Sequence, residues 1–216
     1  MPHALSPRLL HADLGQGAEA FFGMLDDPAL LLFAALRPNT RDLSEAAVHT
    51  DPARFLARRG ISRGLVALRL GCPAADVAIG HDARGAPVLL PPDREPSGSR
   101  SAPLHLSVSA RQDLVAMAFG PRRIGIDLEP LGEVAEPPWN ILSSNERTRL
   151  RHLDAAAAHR AFLEIWTGRE ACLKADGRGL LVDAESADWS KARFFRVWTG
   201  SGKNACVITC AEYVGG

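Results

Sequence analysis

Two stretches decide the fold of this chain: residues 124–130 read IGIDLEP, and residues 166–180 read WTGREACLKADGRGL. A β-strand is predicted at 123–128, because this short and mostly apolar segment follows the break at Gly120-Pro121 directly. Asp127 and Glu129 stand two residues apart near its end, which directs both carboxylates to one face of the strand. Such a pair can hold one hard cation. The alternative, an ordinary strand end with two solvated acids, stays open for this motif taken alone.

The second stretch belongs to a predicted helix that begins near residue 156 and ends at Gly177. Glu170 and Lys174 are four residues apart and share one face of this helix, with Trp166 one turn earlier. Alone, a glutamate and a lysine at this spacing are typical of a surface ion pair. Beside the strand motif, however, a third carboxylate next to a lysine completes an oxygen site for Mg²⁺ with a cation beside it for phosphate.

The rest of the chain mixes helices and strands. Residues 51–70 predict a helix with Asp51 as N-cap and Gly71 as its stop, and a capping-box pattern at Ser143 predicts the start of a short helix. The apolar run 29–36 has the length of a strand but also fits a buried helical turn, so both interpretations stay open. Further strands are predicted at 77–79, 87–90, 104–108, 114–119, 194–198 and 205–214.

Because these helices and strands do not alternate strictly, we predict an α+β fold with antiparallel sheets. Each half of the chain contains helices and strands, which suggests a pseudo-duplicated architecture with two lobes, residues 1–123 and 124–216. The second lobe would carry most of the metal site. Residues 91–103, rich in Pro, Ser and Gly, predict a surface loop.

Composition limits the classes of function that are open to the chain. Its 216 residues are 46% hydrophobic, enough to bury a sizeable core, and Lys+Arg and Asp+Glu balance at 25 each. No global charge would therefore recruit nucleic acid or an anionic membrane, and we expect neither as a partner. The four cysteines form no disulfide framework or paired zinc pattern. With no signal peptide at its start and no apolar run near the roughly 18 residues of a membrane span, the chain is expected to be cytoplasmic.

The two stretches resemble the motifs of the 4′-phosphopantetheinyl transferase superfamily. Members of that superfamily carry a G-[IV]-D-x-E strand, a W-[ST]-x-[KR]-E-[AS]-x-x-K helix some forty residues later, and then G-x-G-L. This chain has GIDLE at 125–129, WTGREACLK at 166–174 and GRGL at 177–180. The resemblance covers about residues 42–185, and the chain is most similar to the larger, monomeric, surfactin-synthetase-activating type.

The resemblance implies a holo-[acyl-carrier-protein] synthase that moves 4′-phosphopantetheine from coenzyme A to a serine of an acyl or peptidyl carrier protein. It implies that Mg²⁺ is held by Asp127, Glu129 and Glu170. Glu170 would be the general base, directly or through a metal-bound water, and Lys174 would stabilise charge on the transferring phosphate. The co-substrate coenzyme A would be bound by Lys174 together with Arg59, Arg63, Arg84 and Ser107.

Two positions depart from the family pattern. Family members show S-H-S where this chain has Ser107-Val108-Ser109, and G-[KR]-P where it has Gly85-Ala86-Pro87. In the family those basic residues meet phosphates of coenzyme A, so each absence predicts the loss of a charge-assisted contact of about 1.5–3 kcal/mol. The nearby basic residues that could compensate are His81, Arg84 and His105.

Three other functions stay open at this point. The first is a superfamily member with a changed donor, for instance one that lacks the 3′-phosphate. The second is a weakly active module that binds carrier proteins, although the intact acidic residues and lysine argue against it. The third, an unrelated α+β hydrolase, has no GxSxG motif to support it.

Overall fold

A computed structural model describes residues 9–35, 40–90, 103–177, 191–200 and 205–213. The helices are α1 (Pro28–Ala35), α2 (Thr40–Ala46), α3 (Pro52–Leu70), α4 (Ser144–Arg151) and α5 (Ala155–Asp176). The strands are β1 (Leu10–Gly15), β2 (Ala18–Met24), β3 (Ile79–His81), β4 (Pro87–Leu89), β5 (His105–Arg111), β6 (Leu114–Gly120), β7 (Ile124–Pro130), β8 (Ala192–Thr199) and β9 (Cys206–Tyr213). Nearly all of the predicted loop at 91–103 lies outside the described residues, as do residues 178–180 of the GRGL motif.

The strands form two sheets and a small ribbon, and every described pairing is antiparallel. Sheet 1 has the strand order β1-β2-β6-β5, sheet 2 has the order β7-β9-β8, and β3 pairs with β4 alone. The predicted α+β class is therefore confirmed. Sheet 1 and the ribbon come from residues before 123 and sheet 2 from residues after it, whereas the division into two lobes stays a prediction.

Four layers stack to form the core. Helix α3 packs on one face of sheet 1, where Ile61 and Leu65 share an apolar cluster with Met117 of β6. The other face of sheet 1 packs on sheet 2 through a second apolar cluster drawn from both sheets. Helix α5 covers the outer face of sheet 2, where Ala171 packs against Ala211 of β9. The strand motif thus lies between sheet 1 and the helix motif.

The predicted helix boundaries hold where capping signals were strong. Asp51 caps α3, since its Oδ1 atom accepts the Arg54 amide at 3.0 Å, and Gly71 ends the helix with φ +64°. Ser143 and Glu146 form the predicted capping box at the start of α4. Helix α5 likewise ends at Gly177, which has φ +71°.

The N-terminal part of the chain was predicted less well. Residues 29–35 of the apolar run belong to helix α1, so the interpretation of the run as a strand is wrong. Helix α1 packs on α3, where a Cβ atom at Gly60 would lie 2.3 Å from the carbonyl oxygen of Ala34. The β1-β2 hairpin was not predicted at all.

Two chemical expectations can be compared with the structure. All four cysteines are free thiols, and three of them are buried. In the described part of the chain, no helix combines the length and the apolar composition needed to cross a membrane.

Candidate active site

Gly125 lets strand β7 and helix α5 approach each other and so brings the two motifs together. A Cβ atom at position 125 would lie 1.9 Å from the carbonyl oxygen of Ala171 and 2.5 Å from the amide nitrogen of Ala175. Real Cβ atoms do not approach neighbours this closely, so glycine is required at this contact. The glycine of the GIDLE motif therefore sets how near Asp127 on the strand lies to Glu170 on the helix.

Thr167 of the helix motif fixes α5 on sheet 2. Its buried hydroxyl lies 2.8 Å from the hydroxyl of Thr209, the residue that pairs with Asp127 across β7 and β9. Arg196 of β8 donates from Nε to the hydroxyl of Thr209 at 3.0 Å and from Nη2 to the carbonyl of Glu164 in α5 at 2.9 Å. The helix that carries the site is thus held at two successive turns.

Lys174 reaches from α5 to the carboxylate of Asp127. Its Nζ atom donates to Asp127 Oδ1 at 2.6 Å and to the carbonyl oxygen of Ile126 at 3.1 Å. Asp127 is only 5% exposed, and its second oxygen, Oδ2, is buried with no hydrogen-bond partner in the described structure. Leaving a buried polar atom without a partner costs about 1–3 kcal/mol, and more for a charged group. This oxygen is therefore suited to a cation.

Arg111 at the end of β5 contacts the second carboxylate of the strand motif. Its Nε and Nη2 atoms lie 3.1 and 3.0 Å from Glu129 Oε1. Burial raises the pKa of the Glu129 carboxyl, Arg111 lowers it, and the neighbouring charge of Asp127 raises it, with a net upward shift. Without a cation, Glu129 therefore takes up a proton more readily than an exposed glutamate does.

Glu170 of α5 completes the acidic group. It is 9% exposed, and its pKa is raised first by burial and then by the charge of Asp127, while Lys174 opposes the shift. Across the described ranges, no three His, Cys, Asp or Glu side chains are already arranged as ligands of a metal ion. The donor set nevertheless fits Mg²⁺, because it consists of carboxylates and includes the partnerless Oδ2 of Asp127.

Ser107, predicted to contact coenzyme A, lies where the edge strands of the two sheets meet. It is 4% exposed, and its Oγ atom accepts the Ile126 amide of β7 at 3.1 Å. Ser109, two residues further on, accepts the Leu128 amide at 3.3 Å and donates to Asp127 Oδ1 at 2.9 Å. The contact of Ser107 with coenzyme A stays a prediction.

Arg63, also predicted to contact coenzyme A, lies inside the first half of the molecule. Arg63 and Asp42 of helix α2 form an ion pair at 2.5 Å, and both side chains are 2% exposed. The predicted contact of Arg63 with a phosphate of coenzyme A stays a prediction.

Arg59 and Arg84 are placed more favourably for an anionic ligand. Arg59 binds Glu45 at 2.8 Å and has the ring nitrogens of His81 at 3.4 and 3.5 Å. Arg84 is exposed in the β3-β4 turn, and its Nη1 atom donates to the carbonyl of Gly177 at 2.9 Å. This bond joins the turn to the end of the helix that carries Lys174.

The two positions that depart from the family pattern lie in different surroundings. Val108 is on the opposite face of β5 from the two serines and packs against the apolar cluster that includes α3. Ala86 lies in the β3-β4 turn, where its amide donates to Asp82 Oδ1 at 2.9 Å. His105, considered as a replacement cation, has a pKa lowered by burial and by Arg123, so its charged form is disfavoured.

Sequence reasoning missed Ser109 and Arg111 as contacts of the acidic residues. A signal was present: polar residues occupy alternate positions 107, 109 and 111 of a strand whose other face is apolar. Cys172 of the helix motif is a small buried residue, and burial raises the pKa of its thiol to about 12.

The fold and the site define a class of α+β proteins in which acidic side chains and a lysine from a strand and a helix face one another. Residues 123–213 match the 4′-phosphopantetheinyl transferase superfamily. The second half of the chain, which carries the strand motif and the helix motif, is therefore similar to this superfamily.

Two curated relatives are similar to part of the chain as well. The 4′-phosphopantetheinyl transferase HetI of Nostoc sp. is 33% identical over 133 residues, which cover 59% of this chain and 53% of HetI. The protein slr0495 of Synechocystis sp., provisionally named as a 4′-phosphopantetheinyl transferase, is 29% identical over 133 residues, which cover 60% of this chain and 52% of the relative. The chain thus spans about half the length of the curated relatives that it matches. Whether it is of the larger, surfactin-synthetase-activating type stays a prediction.

Proposed function

We propose that the chain transfers 4′-phosphopantetheine from coenzyme A to a serine of an acyl or peptidyl carrier protein, with Mg²⁺ as cofactor. The observation that supports this most strongly is the carboxylate of Asp127. One of its oxygens is bound by Lys174, and the other is buried without a partner beside Glu129 and Glu170. The oxygen of Asp127 that has no partner is a suitable ligand for a divalent cation, and the adjacent ammonium of Lys174 is suited to binding a phosphate.

Three carboxylates of this chain would hold the metal: Asp127, Glu129 and Glu170. When bound, Mg²⁺ would neutralise charge on the pyrophosphate as the P–O bond to its bridging oxygen breaks. Arg111 stays paired with Glu129 in this proposal and keeps that carboxylate at the edge of the site. The upward pKa shifts of both glutamates mean that metal binding must compete with protons.

Glu170 is the proposed general base. In the metal-free protein, burial and the charge of Asp127 raise the pKa of Glu170, so this carboxylate accepts a proton more readily than an exposed glutamate does. The hydroxyl oxygen of the carrier serine forms a bond to the phosphorus that bears pantetheine, and its proton passes to Glu170. The bond from that phosphorus to the bridging oxygen breaks, and 3′,5′-ADP leaves.

Lys174 would stabilise the phosphate charge from the side of Asp127. Its side chain is 30% exposed, and its Nζ atom donates to Asp127 and to the carbonyl oxygen of Ile126 in the strand motif. Arg84 and Arg59 are the proposed contacts for the nucleotide end, because Arg84 is exposed beside the end of α5 and Arg59 lies against His81. Arg63 is left out of this proposal because its side chain is only 2% exposed, against 10% for that of Arg59.

The test is to incubate the purified protein with a panel of apo carrier proteins, Mg²⁺ and coenzyme A, and to measure the intact mass of each carrier. A gain of one phosphopantetheine on at least one carrier is the expected result. If every carrier keeps its mass while a known transferase modifies the same panel, the proposed activity is wrong.

A further inference from the structure

Strand β5 contacts strand β7 through side chains at alternate positions. Ser107 accepts the amide of Ile126, Ser109 accepts the amide of Leu128, and Arg111 binds the carboxylate of Glu129. The two strands belong to different sheets, and these side chains connect the sheets at the strand that carries the acidic residues. Only Ser109 in this row also contacts Asp127, through a 2.9 Å hydrogen bond to Oδ1.

The hydroxyl of Ser109 is oriented by its own partners. A serine hydroxyl has a single proton to donate and two lone pairs that accept. Since the Leu128 amide occupies one lone pair, the proton is free to point at Asp127 Oδ1, and both groups are buried. The bond is charge-assisted, which makes it stronger than one between neutral groups.

Two donors therefore meet on one oxygen of Asp127. Ser109 approaches Oδ1 from sheet 1, and the Lys174 ammonium approaches it from α5 at 2.6 Å. Together they prevent the carboxylate from rotating and leave Oδ2 as the oxygen without a partner. A carboxylate fixed in this way presents one defined atom to a cation.

We infer that Ser109 is a positioning residue: its hydroxyl holds Asp127 from the neighbouring sheet so that Oδ2 faces the cation. This inference rests on the proposed metal site and adds a residue outside the carboxylates and lysine. Groups that hydrogen-bond to metal ligands typically change metal affinity by about 10–100-fold when they are removed. We expect the lower end of this range for Ser109, because Lys174 still holds the same oxygen.

Ser107 provides a matched control. It lies on the same strand, is equally buried, and makes the same kind of bond to a β7 amide, but no bond to a carboxylate. Ser109→Ala and Ser107→Ala should therefore lower the melting temperature by similar amounts. With no coenzyme A present, so that the predicted contact of Ser107 with coenzyme A plays no part, only Ser109→Ala should weaken the binding of Mn²⁺, by about tenfold. Ser107→Ala should leave it within about twofold. Ser109→Thr, which keeps the hydroxyl, should restore the affinity.

The experiment is a titration of each variant with Mn²⁺ in the absence of coenzyme A, followed by electron paramagnetic resonance of free Mn²⁺. Transfer assays at rising Mg²⁺ provide a second measurement, in which high Mg²⁺ should return the kcat of Ser109→Ala to within a few-fold of wild type. If both alanine variants bind Mn²⁺ as wild type does, or weaken equally, the serines only join the sheets and the inference is wrong. If wild type itself binds no Mn²⁺, the proposed metal site fails and the inference fails with it.

Discussion

Substituting Gly125 with alanine tests the contact that brings the two motifs together. The added methyl group would lie 1.9 Å from the carbonyl oxygen of Ala171, and ordinary contact begins near 3.4 Å. Helix α5 must then move away from β7 by about 1.5 Å, because both colliding atoms on the helix belong to its backbone. Overpacking of this kind costs about 3 kcal/mol, which corresponds to a fall in melting temperature of roughly 6–12 °C for a chain of this size.

The displacement should reduce activity beyond the loss of stability. Glu170 and Lys174 move with the helix, whereas Asp127 stays on the strand. A misplacement of about 1 Å between catalytic groups can lower the rate by roughly 100-fold. We therefore expect Gly125→Ala to transfer phosphopantetheine about 100-fold more slowly than wild type at a temperature where both proteins are folded.

Gly60→Ala is the control for this experiment. Its methyl group would lie 2.3 Å from the carbonyl oxygen of Ala34, so α1 and α3 must also separate, but this contact is remote from the acidic residues in the layer order. It should lose comparable stability and keep the transfer rate of the folded protein. Thermal unfolding by circular dichroism and transfer to an apo carrier are the two measurements. A Gly125→Ala protein with wild-type melting temperature and rate would refute the close approach of α5 to β7.

Three further predictions follow from the site. Because the pKa of Glu170 is raised in the folded protein, the stability that this group contributes is complete below its unfolded pKa of about 4.5 and is lost as pH rises through the folded pKa. Metal-free Glu170→Gln should therefore lose less stability than wild type over that pH interval. Melting curves measured at several pH values test this. Arg63→Met alone should cost about 3–5 kcal/mol in denaturant unfolding, because Asp42 would stay buried without the ion pair that it forms with Arg63. The double variant Arg63→Met with Asp42→Leu should recover this stability and keep the KM for coenzyme A within about threefold. A tenfold rise in that KM would show that Arg63 contacts the donor. Because Val108 and Ala86 bear no charge, kcat/KM should favour coenzyme A over dephospho-coenzyme A by less than about tenfold, and a larger preference would show that other residues bind the 3′-phosphate.

The strand and helix motifs could be predicted from the sequence because each has a local physical cause. Alternation along β7 directs Asp127 and Glu129 to one face, and the four-residue spacing of Glu170 and Lys174 follows from helix geometry. The caps at Asp51 and Gly177 were equally local, because they depend on side-chain acceptance at one helix end and on positive φ at the other.

Contacts between distant elements could not be predicted in the same way. The arginine-rich face of α3 resembles a solvated surface, and the burial of Arg63 became visible only once α2 placed Asp42 against it. The roles of Ser109 and Arg111 depend on how sheet 1 meets sheet 2, which no local pattern specifies. Likewise, the run 29–36 is apolar enough for a buried strand, and its helical form follows from packing on α3.

Asp127→Asn, which keeps the shape of the side chain and removes its charge, tests most directly whether metal-dependent transfer requires this carboxylate. The measurement is the intact mass of an apo carrier protein after incubation with coenzyme A and either wild type or Asp127→Asn, in Mg²⁺ and in excess chelator. We predict a phosphopantetheine mass gain with wild type in Mg²⁺ and none in the other three reactions, although the variant melts as a folded protein. A modified carrier in the Asp127→Asn reaction, or in the wild-type reaction with chelator, would contradict the assignment of this carboxylate as the centre of a metal-dependent transferase.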